Sequence, residues 1–247
     1  MQRNTFSRLF FLVLVLVASS LGAVACTSGE KATVVYFDEQ EGSNEPYRTR
    51  MIVTSNYIRF DDDDDEGDFV LYDRKRKTIY STNSMDQRTL VIQWKDPGVV
   101  APSTLKNRSE KLKEDVPAVG GHAVNHYRIY TNDELCYDMY AAEGLLPEAV
   151  KAMAEFQKTL SVEHAAFMKA SPVPNPGGCD AMNNVYEPAR YLQFGFPVHA
   201  RDYLGRSRQL ADYKIGQSVS ADLFVLPATY QQFTTEEIRG GTLQSPQ

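Results

Sequence analysis

The chain has too little of several things to support the commoner chemistries. It lacks a glycine-rich phosphate loop and a dinucleotide fingerprint, so nucleotide-dependent catalysis has no visible seat. Neither Gly205-Arg206-Ser207-Arg208 nor Gly216-Gln217-Ser218-Val219-Ser220 completes the glycine-serine-glycine elbow that strains a serine nucleophile into reach. Cysteine is scarce, three in all, and Cys136 and Cys179 lie far apart with no histidine or second cysteine at ligand spacing, which argues against a zinc site. Basic residues are outnumbered, 26 Lys and Arg against 32 Asp and Glu, so nucleic acid is not an expected partner. On these absences the chain is expected not to be an enzyme. Chemistry by paired carboxylates that only folding would bring together is the alternative left open.

A long hydrophobic run is also missing. The uninterrupted apolar stretch at 9–18 is shorter than the roughly 20 residues that span a bilayer. Arg3 and Arg8 precede it, and Leu21-Gly22-Ala23-Val24-Ala25 leads from it into Cys26, the order of a secretory signal peptide at 1–25. Extended to Ala25 the segment approaches the lower limit of a span, so an uncleaved single-helix anchor is the competing reading. Either one exports the rest of the chain.

Ala23-Val24-Ala25-Cys26 resembles the lipobox of bacterial lipoproteins, with alanine at Ala23 where that family usually carries leucine. The resemblance implies that Cys26 is acylated and becomes the new N-terminus, followed by a short tether over 26–31. Several acyl chains anchor stably where one is marginal. Thr27 stands where the family places an acidic inner-membrane retention signal, which implies the outer membrane, facing the periplasm, in a host with two membranes. Removal of 1–25 takes two basic groups and no acidic one from a chain at −6, leaving −8. With Cys26 lipidated, Cys136 and Cys179 remain as a pair in an oxidising compartment, and a disulfide between them is expected. No cofactor is implied.

The rest reads as one mainly β domain of the α+β class over 32–237. Segments 32–39, 48–60, 68–72, 78–81 and 89–94 are rich in β-branched and aromatic residues and are joined by short polar turns, which predicts an antiparallel meander with a bend at Ser55-Asn56. Residues 96–121, with three prolines, read as a long connection holding one or two short strands. Strands are predicted again at 122–130 and 135–141 around Thr131-Asn132-Asp133-Glu134, and at 189–194, 197–203, 206–213 and 218–222. Between these groups Pro147 opens a helix over 147–170, with Leu146, Val150, Met153, Phe156, Leu160 and Phe167 close to one face. Residues 223–230 read as an apolar segment tucked against the sheet, and 238–247 as a disordered tail.

This order, closing with Phe224-Val225-Leu226-Pro227-Ala228-Thr229-Tyr230, resembles the periplasmic lipoprotein-carrier type of domain, the LolA/LolB-like group, and related uncharacterised lipoproteins. The resemblance implies a curved antiparallel sheet or incomplete barrel with the helix packed on it. It also implies a concave face able to hold acyl chains, and no functional residue is carried over by it. The expected partners are the membrane, through the lipid anchor, and either acyl chains or an envelope protein. A structural or protein-interaction lipoprotein is the rival reading.

Two local patterns carry candidate chemistry. Asp62, Asp64, Glu66 and Asp68 fall at positions one, three, five and seven of a calcium loop, Gly67 at six, Phe69 at eight and Asp73 at twelve. The flanking strands favour a solvated hairpin tip instead, since an EF-hand needs helices there. Arg74-Lys75-Arg76-Lys77 is a basic tetrad, read either as a solvated turn or as a contact for anionic headgroups. His122 and His126 would share a face four residues apart. In a strand that separates them by about 13 Å, so structural roles are expected.

Overall fold

The computed structural model describes residues 29–170 and 177–241. Twelve strands form a single open sheet. The first six are β1 (Glu30–Glu41), β2 (Tyr47–Val53), β3 (Tyr57–Asp61), β4 (Val70–Asp73), β5 (Thr78–Asn83) and β6 (Arg88–Gln93), and they make the predicted meander. The others are β7 (Asn107–Leu112), β8 (Val124–Thr131), β9 (Glu134–Ala142), β10 (Phe196–Asp202), β11 (Arg206–Val219) and β12 (Gln231–Phe233). Their order across the sheet is β12-β6-β5-β4-β3-β2-β1-β11-β10-β9-β8-β7, antiparallel throughout except for the β12–β6 pair. The sheet is curved and not closed. One long helix, α1 (Pro147–Ala170), packs on it as the sequence predicts.

The strands pair where local chemistry directs them. Asn132 and Asp133 both take positive φ, the type I′ geometry whose twist matches the β8–β9 strands. β1 buries both its faces. Val35 and Phe37 point into the core beneath α1, while Ala32 and Val34 join Ile52, Phe69, Leu71 and Val219 in a second cluster on the opposite face. That second cluster is closed by Phe224, from a 3-10 turn at Ala221–Phe224, with Leu223 and Leu226 packed against it. The apolar segment at 223–230 therefore does cover the sheet, through these three residues.

Four predictions are corrected. Residues 189–194 are not a strand but end in a 3-10 helix, Arg190–Phe194. Arg190, Tyr191 and Leu192 are buried in succession, which a strand facing a single layer cannot do. The two strands predicted at 206–213 and 218–222 are one, β11, because Gly216 with φ of +71° marks an irregularity inside it rather than an end. Only Ser218 and Val219 of the second segment belong to it. On α1, Phe167 is exposed, and the face against the protein is lined with small residues, Ala149, Ala152, Thr159 and Ala165, beside Met153 and Val162. The tail expected from 238 begins inside a helix, α3 (Thr235–Arg239), capped reciprocally by Thr234 and Glu237. Residues 242–247 lie outside the described residues.

Cys136 in β9 is bonded to Cys179, in the short helix α2 (Gly178–Ala181), with Cα atoms 5.1 Å apart. The bridge closes a loop of 43 residues that includes all of α1. In the chain-entropy account that restriction of the unfolded state stabilises the fold by about 4 kcal/mol.

Candidate functional site

The concave face is not filled evenly. Around β8–β10 the protein plugs it with its own rings: Tyr127 stacks on Phe194 at 4.4 Å, Tyr137 lies 5.2 Å from Tyr191, and Phe37 lies 6.1 Å from Phe196. Gly195 makes this plug possible. It takes φ of +118°, and a Cβ there would sit 2.4 Å from the Ala142 carbonyl oxygen.

Between α1 and β1–β5 the face stays open as a groove of about 480 Å³. Its floor is apolar: Phe60 from β3, Val70 from β4, and Met153 and Phe156 from α1. Phe60 and Phe156 lie 5.0 Å apart and are only half-buried, so part of each side chain borders the groove. The mouth is polar. Arg208 from β11 pairs with Glu39 of β1 at 2.9 Å, Thr49 donates to the same carboxylate at 2.6 Å, and Asp62 and Asp68 stand on the other lip. Tyr47 also lines it. Burial and the neighbouring Glu39 and Glu41 carboxylates push its phenol above the ordinary value, so it remains a neutral donor. A cleft of this size, apolar inside with a few polar groups at the rim, has the usual make-up of a site for a small amphipathic ligand.

The acidic run does not assemble as a calcium loop. Asp61 ends β3 and the bent loop after it, with Asp63 at φ of +68°, turns Asp63 and Asp65 to the same side, where Arg50 of β2 meets all three at 2.8, 2.9 and 2.6 Å. Asp61 also binds Arg59 at 2.6 Å, and Arg59 is buried, donates to the Leu223 carbonyl at 2.8 Å and lies over the Phe69 ring. Burial alone would lower the Arg50 guanidinium, but the Asp61 and Asp65 carboxylates outweigh it and raise it. The predicted ligands are scattered. Asp64 accepts from the Glu66 amide, Asp68 from the Ser84 amide, and Asp73 from the Arg76 amide at the far end of β4. A strand rising roughly 3.3 Å per residue separates Asp73 from Asp68, which breaks the twelve-residue loop. Among the described residues no group of three or more His, Cys, Asp or Glu is placed to hold a metal.

The other candidates are held separately. His122 precedes β8, with Nδ1 3.0 Å from the Glu143 carbonyl. His126 is buried between Glu114, 2.7 Å from Nδ1, and Asp138, and stacks on Tyr140 at 4.3 Å. Burial would raise the Asp138 carboxyl, but hydrogen bonds and charge from His126 and Arg128 outweigh it and hold it below the usual carboxylate range. In the basic tetrad, Arg74 is not solvated: it binds Glu155 of α1 at 2.8 Å and the Thr54 carbonyl at 3.0 Å. Lys75, Arg76 and Lys77 are exposed. Cys26 and the signal segment lie outside the described residues. Among the described residues no helix is long and apolar enough to cross a membrane.

No protein-family model and no curated protein matches the chain. Solved structures are similar to it at low identity. An uncharacterized conserved protein from Thermus thermophilus is 8% identical with a TM-score of 0.42, over 83% of this chain and 91% of that one. PNGF-II is 10% identical with a TM-score of 0.42, over 85% of this chain and 32% of that one. MucB in the Pseudomonas aeruginosa MucA/MucB complex is 10% identical with a TM-score of 0.39, over 83% of this chain and 59% of that one. The chain thus spans about a third of the length of PNGF-II and under two thirds of that of MucB.

Sequence reasoning found half of the groove. Met153 and Phe156 stand out by helical spacing, and the concave face itself was implied by the lipoprotein-carrier resemblance. Of the lips, Asp62 and Asp68 stand out in the sequence only as calcium candidates, and Glu39, Thr49 and Arg208 do not stand out at all, because they converge only through the β1–β2 and β1–β11 registers.

Proposed function

We propose that the chain is a lipid-anchored protein of the cell envelope, non-enzymatic, that binds an acyl chain or lipid in the groove between α1 and the sheet. The observation that carries this reading is the unfilled apolar floor of Phe60, Val70, Met153 and Phe156 beneath a polar mouth. Each methylene buried there contributes about 0.8 kcal/mol, so a chain of ordinary length binds usefully without any specific polar contact. The Arg208–Glu39 pair and the Tyr47 hydroxyl then suit a headgroup or carboxyl end left at the lip. The lipobox at Cys26 supports the anchor, and with it an outer-membrane position facing the periplasm in a two-membrane host.

The test is direct. Mature protein purified in mild detergent should release a lipid on organic extraction and should enhance an acyl fluorophore, and Phe156→Trp, which fills the groove, should abolish both. A protein that carries no lipid and leaves the fluorophore in water sinks the reading.

An envelope protein as partner is the second reading, and β7 favours it. Five of its six residues are exposed and, among the described residues, its outer edge bears no strand, so it could accept a partner's strand. Cross-linking in intact cells that captures a stoichiometric protein through β7, with an empty groove, would select this reading.

A further inference from the structure

The domain begins hard against its own sheet. Gly29 lies so close to β11 that a Cβ there would come within 2.0 Å of Ser218 Oγ, and Glu30 is already paired with Val219. Only Thr27 and Ser28 stand between Gly29 and Cys26. A chain extends by at most about 3.6 Å per residue, so lipid on Cys26 holds the start of β1 within roughly 15 Å of the headgroups. A tether that short cannot let the domain turn over. The rim of the sheet that carries the start of β1 therefore faces the bilayer, and an uncleaved helical anchor would impose the same orientation.

The strand registers identify that rim. Thr33 pairs with Val53, Val53 with Ile58, Tyr57 with Asp73, Asp73 with Thr78 and Thr78 with Gln93. The start of β1, the β2–β3 turn, the β4–β5 turn and the end of β6 thus share one side, and Arg74 ties the two turns together through the Thr54 carbonyl. On it stand the exposed Lys75, Arg76 and Lys77, and Trp94, whose ring lies 4.9 Å from Lys77 Nζ. Arg76 is 3.7 Å from the largely buried Asp73, and among the described residues Lys75 and Lys77 stand in no ion pair. Nearby Lys95 is neutralised by Glu236 at 2.6 Å. Tryptophan beside lysine and arginine is the side-chain combination of a membrane–water interface, and here it interrupts an acidic protein. The groove lies toward the other rim, since Glu39 and Tyr47 flank the β1–β2 turn and Asp62 and Asp68 the β3–β4 turn.

We propose that the mature protein stands on an anionic membrane surface, with Lys75, Arg76, Lys77 and Trp94 at the headgroups and the mouth of its groove turned to the aqueous side. The groove is then loaded from solution or by a soluble carrier rather than from the bilayer underneath. This orientation depends on the anchor at Cys26 proposed above.

Trp94 is the only tryptophan in the chain, so it reports the contact without labelling. Full-length lipidated mature protein is reconstituted into phosphatidylcholine vesicles containing phosphatidylglycerol and brominated lipid, and flotation confirms anchoring. Trp94 emission should shift to the blue and lose most of its intensity. The triple variant Lys75→Glu, Arg76→Glu, Lys77→Glu should still float but recover that intensity. A second reporter, Met85→Trp in a Trp94→Phe background, sits 91% exposed in the β5–β6 turn at the opposite rim and should stay unquenched. Protein that floats with Trp94 no more quenched than the Met85→Trp reporter overturns the orientation alone, as does quenching that the charge reversal leaves unchanged. Protein that fails to float removes the anchor as well, which separates the two failures.

Discussion

One sheet treats its concave face in two ways. Around β8–β10 the face is closed by Tyr127, Tyr137, Tyr191 and Phe194 and stapled by Cys136–Cys179. Around β1–β5 the same face is covered only by the middle of α1, and a groove remains. The open half is held from behind instead. Arg50, Arg59 and Asp61 form a buried ion network on the opposite face, and Arg59 pins the segment around Leu223 that caps the second apolar cluster. Stability and an unfilled site are thereby separated: one half supplies a rigid frame, and the other leaves room because its bracing sits on the far side of the sheet.

The contrast can be broken at four points. Replacing both cysteines by serine should cost the most, about 4 kcal/mol, as a lower urea midpoint with acyl binding retained where the protein is still folded. Arg59→Ala should cost about 3 kcal/mol by leaving the buried Asp61 with Arg50 and the Asp63 amide alone and the Leu223 carbonyl without its donor, and it should expose the Phe224 cluster to a hydrophobic dye. A loss under about 0.5 kcal/mol would show that the rear bracing is dispensable.

Acidification should act more gently, and on the closed half. Burial lowers the His164 imidazole on α1, against the opposing charges of Asp180 and Glu163, and lowers His199 on β10. A group depressed in the folded state favours folding above its unfolded value and loses that contribution as pH falls toward the folded one. The urea midpoint should therefore decline as pH drops through about 6.5, and His164→Gln should flatten the decline. The smallest stability change belongs to the groove. Phe156→Trp should move the unfolding free energy by under about 1.5 kcal/mol while removing acyl binding, because it adds volume to a space the fold leaves empty. Equal losses of stability and binding would mean that Phe156 belongs to the core and not to a site.

Much of the architecture was legible because it is set by short-range chemistry. Polar turns between β-branched runs announced the meander, Asn132-Asp133 the β8–β9 hairpin, and Pro147 the start of α1. The misreadings share a cause. Residues 189–194 are aromatic enough for a strand, yet Gly195 turns the chain and Tyr191 and Phe194 pack on Tyr137 and Tyr127 as a plug, and the glycine at 216 looks like a strand end until β1 pairs with β11 on both sides of it. Asp62, Asp64, Glu66 and Asp68 match a calcium loop in spacing, but spacing along a chain becomes ligand geometry only when the backbone curls. Here the loop between β3 and β4 turns its carboxylates onto Arg50 and onto backbone amides, and β4 carries Asp73 away from them.

The sequence by itself carried the pairing of Cys136 with Cys179 as an expectation, the α+β class and the apolar spacing on α1 that supplies Met153 and Phe156. These are local patterns of periodicity, charge and turn residues. Tertiary structure alone decided which part of the concave face is filled, that Arg50 gathers Asp61, Asp63 and Asp65, and that Lys75, Arg76, Lys77 and Trp94 share a rim with Gly29. Each of those depends on strand register and sheet curvature, which bring together residues far apart in the chain and leave no trace in the spacing between them.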